Sequence, residues 1–247
     1  MQLTAEIHLV GSGRNGLGLT DAFDCNVYLL DGGSELALVD TGAAVRLEPL
    51  LSLIEQSGLG LDRVGHILLT HKHGDHSAGA AELKRLTGAR VYATAGTAAA
   101  VGDGDAFNAG LDRARRAGIY PADYLFHAVE ADVIVREGDT IAVGALELKV
   151  IDTPGHCDHH CSFVMSSSVG TCAFTGDALF PGGTILLQPI RDCSIPETVA
   201  TIEKLGALEL DALLAGHGAP ILSDGRRHAR IALDRIQDGK IPLQLFW

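Results

Sequence analysis

The sequence predicts an α/β protein in which β-sheets are covered by helices on their outer faces. Short apolar segments bounded by turn residues alternate with segments of helical periodicity, and this pattern occurs in both halves of the chain. No internal repeat, Pro/Ser-rich linker or block of charge divides the sequence. We therefore expect a single domain over residues 1–247.

The strands are predicted from short apolar runs, several of which end at Asp-Gly or Asp-Thr-Gly turns. In chain order, these runs cover residues 7–10, 25–30, 36–39, 65–69, 132–135, 146–151, 162–165, 172–175 and 212–214. Helices are predicted where apolar residues recur at a spacing of three or four. Such segments cover residues 45–56, 77–86, 196–208 and 224–237. Ser194 precedes the third of these helices, as expected of an N-cap, and Pro196 stands early in it.

Composition excludes several classes of function. The 247 residues carry 19 basic and 31 acidic side chains, so the formal net charge of −12 repels phosphate backbones and anionic membranes. Apolar runs fall far short of the roughly 20 residues that a membrane helix needs, and the N-terminus lacks the pattern of a secretory signal. Five scattered cysteines favour a reducing compartment. We expect a cytoplasmic protein that binds neither nucleic acid nor membranes.

A first cluster of candidate metal ligands directly follows the predicted strand 65–69. His71 and His73 are separated by one residue, so on an extended loop both side chains point the same way and can bind one ion. Asp75 and His76 come next, where a helix begins, and turn toward a second ion. Imidazole and carboxylate donors together suit Zn²⁺, with Fe or Mn as alternatives.

Three later residues complete the candidate site, because each one also follows a predicted strand. His156 comes after the strand that ends at residue 151, Asp177 after strand 172–175, and His217 after strand 212–214. Loops at such positions can face one cleft. With the first cluster they supply seven ligands, which suffices for two ions and leaves coordination positions for water.

These residues together resemble the metallo-β-lactamase-fold hydrolases, and most closely the glyoxalase II and lactonase branch. The resemblance rests on the run from His71 to His76, on His156, Asp177 and His217, and on residues 38–42. It implies a four-layer αβ/βα sandwich with two metal ions at one edge of the sheets. It also implies a division of the ligands: His71, His73 and His156 for the first ion, Asp75, His76 and His217 for the second, and Asp177 bridging them.

The resemblance further implies hydrolysis of a small ester, thioester or lactone. A hydroxide held between two cations is a nucleophile at neutral pH and would attack the substrate carbonyl. Asp75 is expected to bind the second ion and orient the nucleophile, while Asp40 is expected to orient a ligating histidine. Three alternatives remain open: a β-lactam hydrolase, a binding module without catalysis, and a mononuclear iron enzyme similar to the persulfide dioxygenases. In the last, the ligands would be His71, His156 and Asp177.

The substrate pocket is predicted around this site. Residues 105–126 are expected to form a helical lid, since they combine arginines with aromatic residues. The expected pocket residues are Phe23, Tyr120, Tyr124, His160, Phe180 and Ile185. The partner is a small-molecule substrate, and a homodimer is also expected, because the apolar segment 241–247 either docks on a second subunit or closes its own core.

Two other motifs are interpreted as structural. Residues 11–16 match the glycine pattern of dinucleotide-binding loops, but no helix is predicted after them, so a hairpin tip near the mouth of the site is expected. Residues 157–161 contain two cysteines and two histidines, which are too close in sequence to surround one ion. We expect these thiols to be buried.

Overall fold

The computed structural model describes residues 1–104, 115–116, 118 and 120–245, and within them eleven strands form two sheets. The first sheet has the order β1-β2-β3-β4-β5-β6, and the second has the order β11-β10-β9-β8-β7. The strands of the first sheet are β1 (Ile7–Gly11), β2 (Val27–Asp31), β3 (Leu36–Val39), β4 (Val64–Leu68), β5 (Arg90–Thr94) and β6 (Val133–Val135). Those of the second are β7 (Thr140–Val143), β8 (Leu146–Asp152), β9 (Cys161–Ser167), β10 (Gly170–Gly176) and β11 (Ala212–Ala215).

Helices cover the outer face of each sheet. The first sheet carries α1 (Glu48–Gln56), α3 (Ala80–Thr87) and α4 (Ala95–Asp103), and the second carries α5 (Ile195–Gly206) and α6 (Gly225–Gln237). A single turn, α2 (Gly74–Ser77), lies between β4 and α3. Helix α5 begins as predicted, with the Ser194 side chain accepting a hydrogen bond from the Glu197 N–H.

Three apolar clusters hold these layers together. The inner faces of the two sheets pack against each other through residues such as Leu30, Leu148 and Phe163, all fully buried. The outer face of the first sheet packs on Leu50 of α1 and its neighbours, and the outer face of the second packs on α5 and α6, with Leu205 among the contacts. The predicted four-layer αβ/βα sandwich is thus confirmed.

Strand direction brings the candidate ligands to one edge. Strands β3, β4 and β5 are parallel, so Asp40 and the loop that begins at Thr70 emerge at the same end of the first sheet. In the second sheet, β8 and β10 are each antiparallel to β9, and β11 is parallel to β10. The loops after β8, β10 and β11 therefore leave this sheet at a common end.

Several elements differ from the sequence predictions. Strand β5 and helix α4 were not predicted, because β5 passes directly into the alanine-rich α4 without any turn residue between them. Strand β7 was not predicted either. Of the predicted lid, residues 105–114, 117 and 119 lie outside the described residues. Among the described residues, no helix combines the length and the apolar character that a membrane crossing requires.

The described part of the C-terminal segment pairs with its own chain. The Ile185 N–H donates to the Leu243 carbonyl at 2.9 Å, and the Leu245 N–H donates to the Ile185 carbonyl at 2.7 Å. This pairing corresponds to the second of the two expectations for this segment, although Ile241 and Leu243 stay about half exposed, at 48% and 50%. The homodimer remains a prediction.

Candidate metal centre

Three histidines from two loops form the first group of donor atoms. The His71 Nε2 and His73 Nδ1 atoms are 3.1 Å apart, and the His156 Nε2 lies 2.9 Å from the same His73 nitrogen. Ligand nitrogens bound at 2.0–2.1 Å to a tetrahedral ion lie about 3.3 Å apart, which is close to these separations. His71 and His73 follow β4, and His156 follows β8, so this group joins the two sheets.

The second group contains one carboxylate and two histidines. The Asp75 Oδ2 lies 3.2 Å from the His217 Nε2 and 3.6 Å from the His76 Nε2. Asp75 and His76 are adjacent in α2, whereas His217 follows β11. The geometry around His217 requires Gly216, since a Cβ there would lie 2.5 Å from the Asp177 Oδ1 and 2.5 Å from the His76 Cε1.

Asp177 lies between the two groups, with one oxygen turned toward each. Its Oδ1 is 3.2 Å from the His76 Nε2, and its Oδ2 is 3.4 Å from the His156 Nε2. Among the described residues, the His76 Nε2 and the Asp177 Oδ1 are both buried without a hydrogen-bond partner. Two such atoms facing each other fit a cation, either a proton on the ring nitrogen or a metal ion between them, because buried polar groups are otherwise paired.

Asp40 contacts the Nδ1 side of two histidines, one directly and one through Thr70. Its Oδ2 accepts hydrogen bonds from the His76 Nδ1 and from the Thr70 hydroxyl, each at 2.8 Å. The Thr70 Oγ1 in turn lies 3.0 Å from the His71 Nδ1 and accepts its proton. Both Nε2 atoms consequently keep their lone pairs for the site. Asp40 contacts a histidine as expected, while its role in orienting a metal ligand stays a prediction; sequence reasoning missed Thr70, although it directly precedes His71.

The third histidine, His156, is held by a hydrogen bond to the main chain. The His156 Nδ1 donates to the Leu186 carbonyl at 2.9 Å, which leaves its Nε2 directed into the site. No sequence signal could have identified this partner, because every residue has a carbonyl and the pairing depends only on where the segment after β10 passes.

The two donor groups differ in ionisation. Burial, followed by the charge of His156, lowers the pKa of His73 to about 3, and burial also lowers the pKa of His71 well below its usual range. Burial raises the pKa of Asp75, but the charge of His76 and the hydrogen bond from His217 outweigh it and lower the pKa to about 2. Neutral imidazoles and an ionised carboxylate are the forms that bind metal ions. Burial lowers the pKa of His76, but the charges of Cys25, Asp177 and Asp75 outweigh it and raise that pKa well above its usual range, so metal binding at the second group displaces a proton.

Three of the predicted pocket residues form a row of rings beside the second group. The rings of Phe23 and Tyr120 have centroids 5.3 Å apart, and those of Tyr120 and Tyr124 stack at 4.7 Å with an interplanar angle of 11°. Burial, and next the charge of Asp75, raises the pKa of Tyr120 well above its usual range. The Tyr124 hydroxyl donates to the Ala43 carbonyl.

The other three predicted pocket residues are buried: Phe180 and His160 lie beneath the site, and Ile185 lines a small cavity together with His156 and Asp177. Phe180 is fully buried, with its ring centroid 6.1 Å from that of His217. Ile185 is 2% exposed and packs with the apolar side chains of α5 and α6. His160 is 1% exposed, and both of its ring nitrogens have partners within the protein. The Nδ1 lies 2.8 Å from the Thr153 hydroxyl, and the Nε2 accepts the main-chain N–H of Asp177.

Both motifs that were interpreted as structural have the expected environment. Residues 12–20 form turns without a helix, and the Asn15 carbonyl accepts the Gly218 N–H at 2.8 Å, which places this tip beside the loop of His217. Cys157 and Cys161 are fully buried. All five cysteines are free thiols.

Comparison with known proteins identifies the family. Residues 20–217, which include all seven candidate ligands, match the family model of the metallo-beta-lactamase superfamily. A hydroxyacylglutathione hydrolase of Rhodopseudomonas palustris (strain HaA2) is 32% identical over 200 residues, which are 81% of this chain and 63% of that protein. Another, of Fuscovulum blasticum, is 34% identical over 199 residues, which are 80% of this chain and 62% of that protein. The chain thus spans less than two thirds of the length of these curated relatives.

Solved structures agree with this assignment. A subclass B3 metallo-beta-lactamase of Bradyrhizobium japonicum is 26% identical, with a TM-score of 0.72 over 97% of this chain and 91% of that one. A metallo-beta-lactamase family protein from Thermus thermophilus is 25% identical, with a TM-score of 0.71 over 94% of this chain and 80% of that one. The family model, which matches most of the chain, and the shared architecture together show that this protein belongs to the metallo-beta-lactamase superfamily.

Proposed function

We propose that this protein is a metal-dependent hydrolase that cleaves a small thioester, ester or lactone at a dinuclear site. The observation that carries the proposal is the pair of three-donor groups joined by one carboxylate. The first ion would be held by His71, His73 and His156, the second by Asp75, His76 and His217, with Asp177 between them. We propose zinc as the metal, because neutral imidazoles and carboxylates at these separations suit its tetrahedral coordination.

When bound, two such ions would generate a hydroxide near neutral pH and polarise the substrate carbonyl. The chain's own residues fix where this chemistry takes place. Asp40 holds His76 and, through Thr70, His71, so that both imidazoles keep one tautomer and one orientation. We assign Asp75 two roles, binding the second ion and orienting the nucleophile.

The row formed by Phe23, Tyr120 and Tyr124 is our proposed wall for the acyl part of the substrate. Aromatic rings offer a large apolar contact area, and substrate pockets are usually apolar with a few polar groups. Thioesters are placed first among the substrates, because the curated relatives are named hydroxyacylglutathione hydrolases. The five free thiols support a reducing compartment, and we propose the cytoplasm.

The proposal is tested by elemental analysis of the purified protein together with a hydrolysis screen of thioesters, esters, lactones and β-lactams. We expect two zinc ions per chain and turnover of thioesters. Asp177→Ala should lower kcat/KM by about 10²–10⁴-fold, since several kcal/mol of transition-state stabilisation would be lost. Asp234→Ala, an exposed carboxylate on α6, is the matched control and should leave turnover unchanged.

Two results would overturn the proposal. One iron ion per chain with no hydrolysis would indicate an iron oxidoreductase similar to the persulfide dioxygenases. Protein that binds no metal ion in titrations with zinc, iron or manganese would refute the assignment of the seven ligands.

A further inference from the structure

Lys72 stands between two candidate ligands and has a buried side chain. Its ammonium group is 2.5 Å from the Asp158 Oδ1 and 2.8 Å from the Asp192 Oδ2, and the side chain is only 11% exposed. A buried ammonium group is costly unless it is paired, and breaking such a pair by removing one partner is strongly destabilising. The geometry of this cluster is therefore maintained by all three of its members.

The three members of the cluster come from three separate segments. Lys72 lies in the loop after β4 with His71 and His73, and Asp158 lies two residues beyond His156 in the loop after β8. Asp192 belongs to the segment 186–194, which we call the strap. The ion pairs therefore connect both loops of the first donor group to a third piece of chain.

The strap is fastened to the same donor group at both of its ends. At one end the Leu186 carbonyl accepts the His156 Nδ1 proton at 2.9 Å, and at the other the Ser194 N–H donates to the Gly155 carbonyl at 2.8 Å. The Lys72–Asp192 pair fastens it between these two contacts. The orientation of His156 therefore depends on a segment that the lysine keeps in place.

The charge of the cluster also falls on the first donor group. One lysine and two carboxylates leave a net charge of −1 next to His71 and His73, which flank Lys72 in the sequence. The first group contributes three imidazoles, whereas the second has the carboxylate of Asp75. Removing Lys72 would change this net charge to −2, which favours a cation at the first group, so a weaker affinity in Lys72→Met can come only from lost positioning.

We infer that Lys72 is a positioning residue that, with Asp158 and Asp192, sets the metal affinity of the three-histidine group selectively. This inference rests on the proposed function in so far as both donor groups bind metal ions. We assign Lys72 no contact with the substrate. Its effect passes through the strap to His156 and through the loop backbone to His71 and His73.

The experiment measures Co²⁺ binding to each group separately, in metal-free protein prepared with a chelator. The His217→Ala background isolates the first group, and the His156→Ala background isolates the second. We expect Lys72→Met to weaken Co²⁺ binding about 10–100-fold in the first background, as outer contacts of metal ligands do. In the second background the affinity should stay within about twofold. The Co²⁺ absorption spectrum should change for the first group alone.

Further variants keep the test informative. Asp192→Asn retains the shape of the side chain and should give the same selective loss if Lys72→Met fails to fold. The double variant should be no weaker than the worse single variant, because both act through one contact. Lys84→Met is the matched control, since Lys84 also bridges two acceptors, at Asp132 and the Glu130 carbonyl, but on the outer side of the first sheet.

An equal loss at both groups, or no loss beyond that of Lys84→Met, would overturn the inference. Selective loss of Co²⁺ in a protein that hydrolyses none of the substrates would support the inference and refute the proposed function. A parent protein that binds no Co²⁺ in either group would refute both.

Discussion

Replacing Asp40 by asparagine tests whether this residue fixes the tautomers of the histidines. The substitution preserves volume but turns one carboxylate oxygen into an NH₂ group. If that group replaces the Oδ2, it meets the His76 Nδ1 proton and the Thr70 hydroxyl, both at 2.8 Å. If it replaces the Oδ1, it meets the Thr70 N–H, also at 2.8 Å. In either orientation a buried donor faces another donor.

The structure gives the size of the effect. Relief of the clash at the Oδ2 moves the His76 proton to its Nε2, which then cannot bind a metal ion. A hydrogen bond to a charged group contributes about 1.5–3 kcal/mol, so its loss corresponds to about 10–150-fold in metal affinity. Because Asp40 is 2% exposed, the free energy of unfolding of the metal-free protein should also fall, by about 1–3 kcal/mol.

The assay is Zn²⁺ competition titration of Asp40→Asn in the His156→Ala background, where the second donor group is isolated, combined with urea unfolding of the metal-free protein. Asp31→Asn is the control, because Asp31 is also a carboxylate at the end of a strand but accepts the Gly33 N–H on an exposed turn. Zn²⁺ affinity of Asp40→Asn within about twofold of the control would refute the role of Asp40.

Three further predictions address pH, packing and substrate binding. Burial raises the pKa of Asp24 to about 6, so this group stabilises the fold fully below pH 3.8 and loses up to about 3 kcal/mol as the pH rises through 6. Urea unfolding at pH 4 and pH 8 should show a smaller loss in Asp24→Asn, and an equal loss would contradict this. Gly216→Ala should lose metal in elemental analysis while its circular dichroism is kept, since the new Cβ meets Asp177 at 2.5 Å; retained stoichiometry would refute the packing argument. Phe23→Ala should raise KM with little change in kcat, because it shortens the row of rings that includes Tyr120, and an unchanged KM would remove Phe23 from the pocket.

The sequence was sufficient to predict which residues converge, because each candidate ligand follows an apolar strand. His71, His156 and Asp177 could be placed at strand ends without any knowledge of the sheets. Which side chains contact each other within the site could not be predicted in this way. His160 resembles a ligand in sequence, but its buried ring accepts a hydrogen bond from the main-chain N–H of Asp177. That role depends on the pairing of β9, which begins directly after His160, with β10, which ends directly before Asp177.

The same limit applies to the residues that contact the candidate ligands and to the strands and helices that were not predicted. Lys72 carries no sequence signal for burial, since a lysine in a polar loop is normally solvated, and only the convergence of Asp158 and Asp192 makes its burial possible. Strand β5 was missed because its five residues include an arginine and end in Ala-Thr, a composition that does not separate it from the following helix. Local propensity is a weak guide for a strand whose position is fixed by its neighbours.

The position of the donor groups links metal binding to the stability of the sandwich. His71 and His73 leave the first sheet, whereas His156 and Asp177 leave the second, so an ion held by both sets joins the two sheets at their edge. Without an ion, the Asp177 Oδ1 and the His76 Nε2 face each other at 3.2 Å as buried and unpaired atoms. A ligand that binds the folded state alone stabilises it by about 4 kcal/mol at 1,000 times its dissociation constant. A cation at this edge would therefore satisfy these two atoms and hold the two sheets together through one set of contacts.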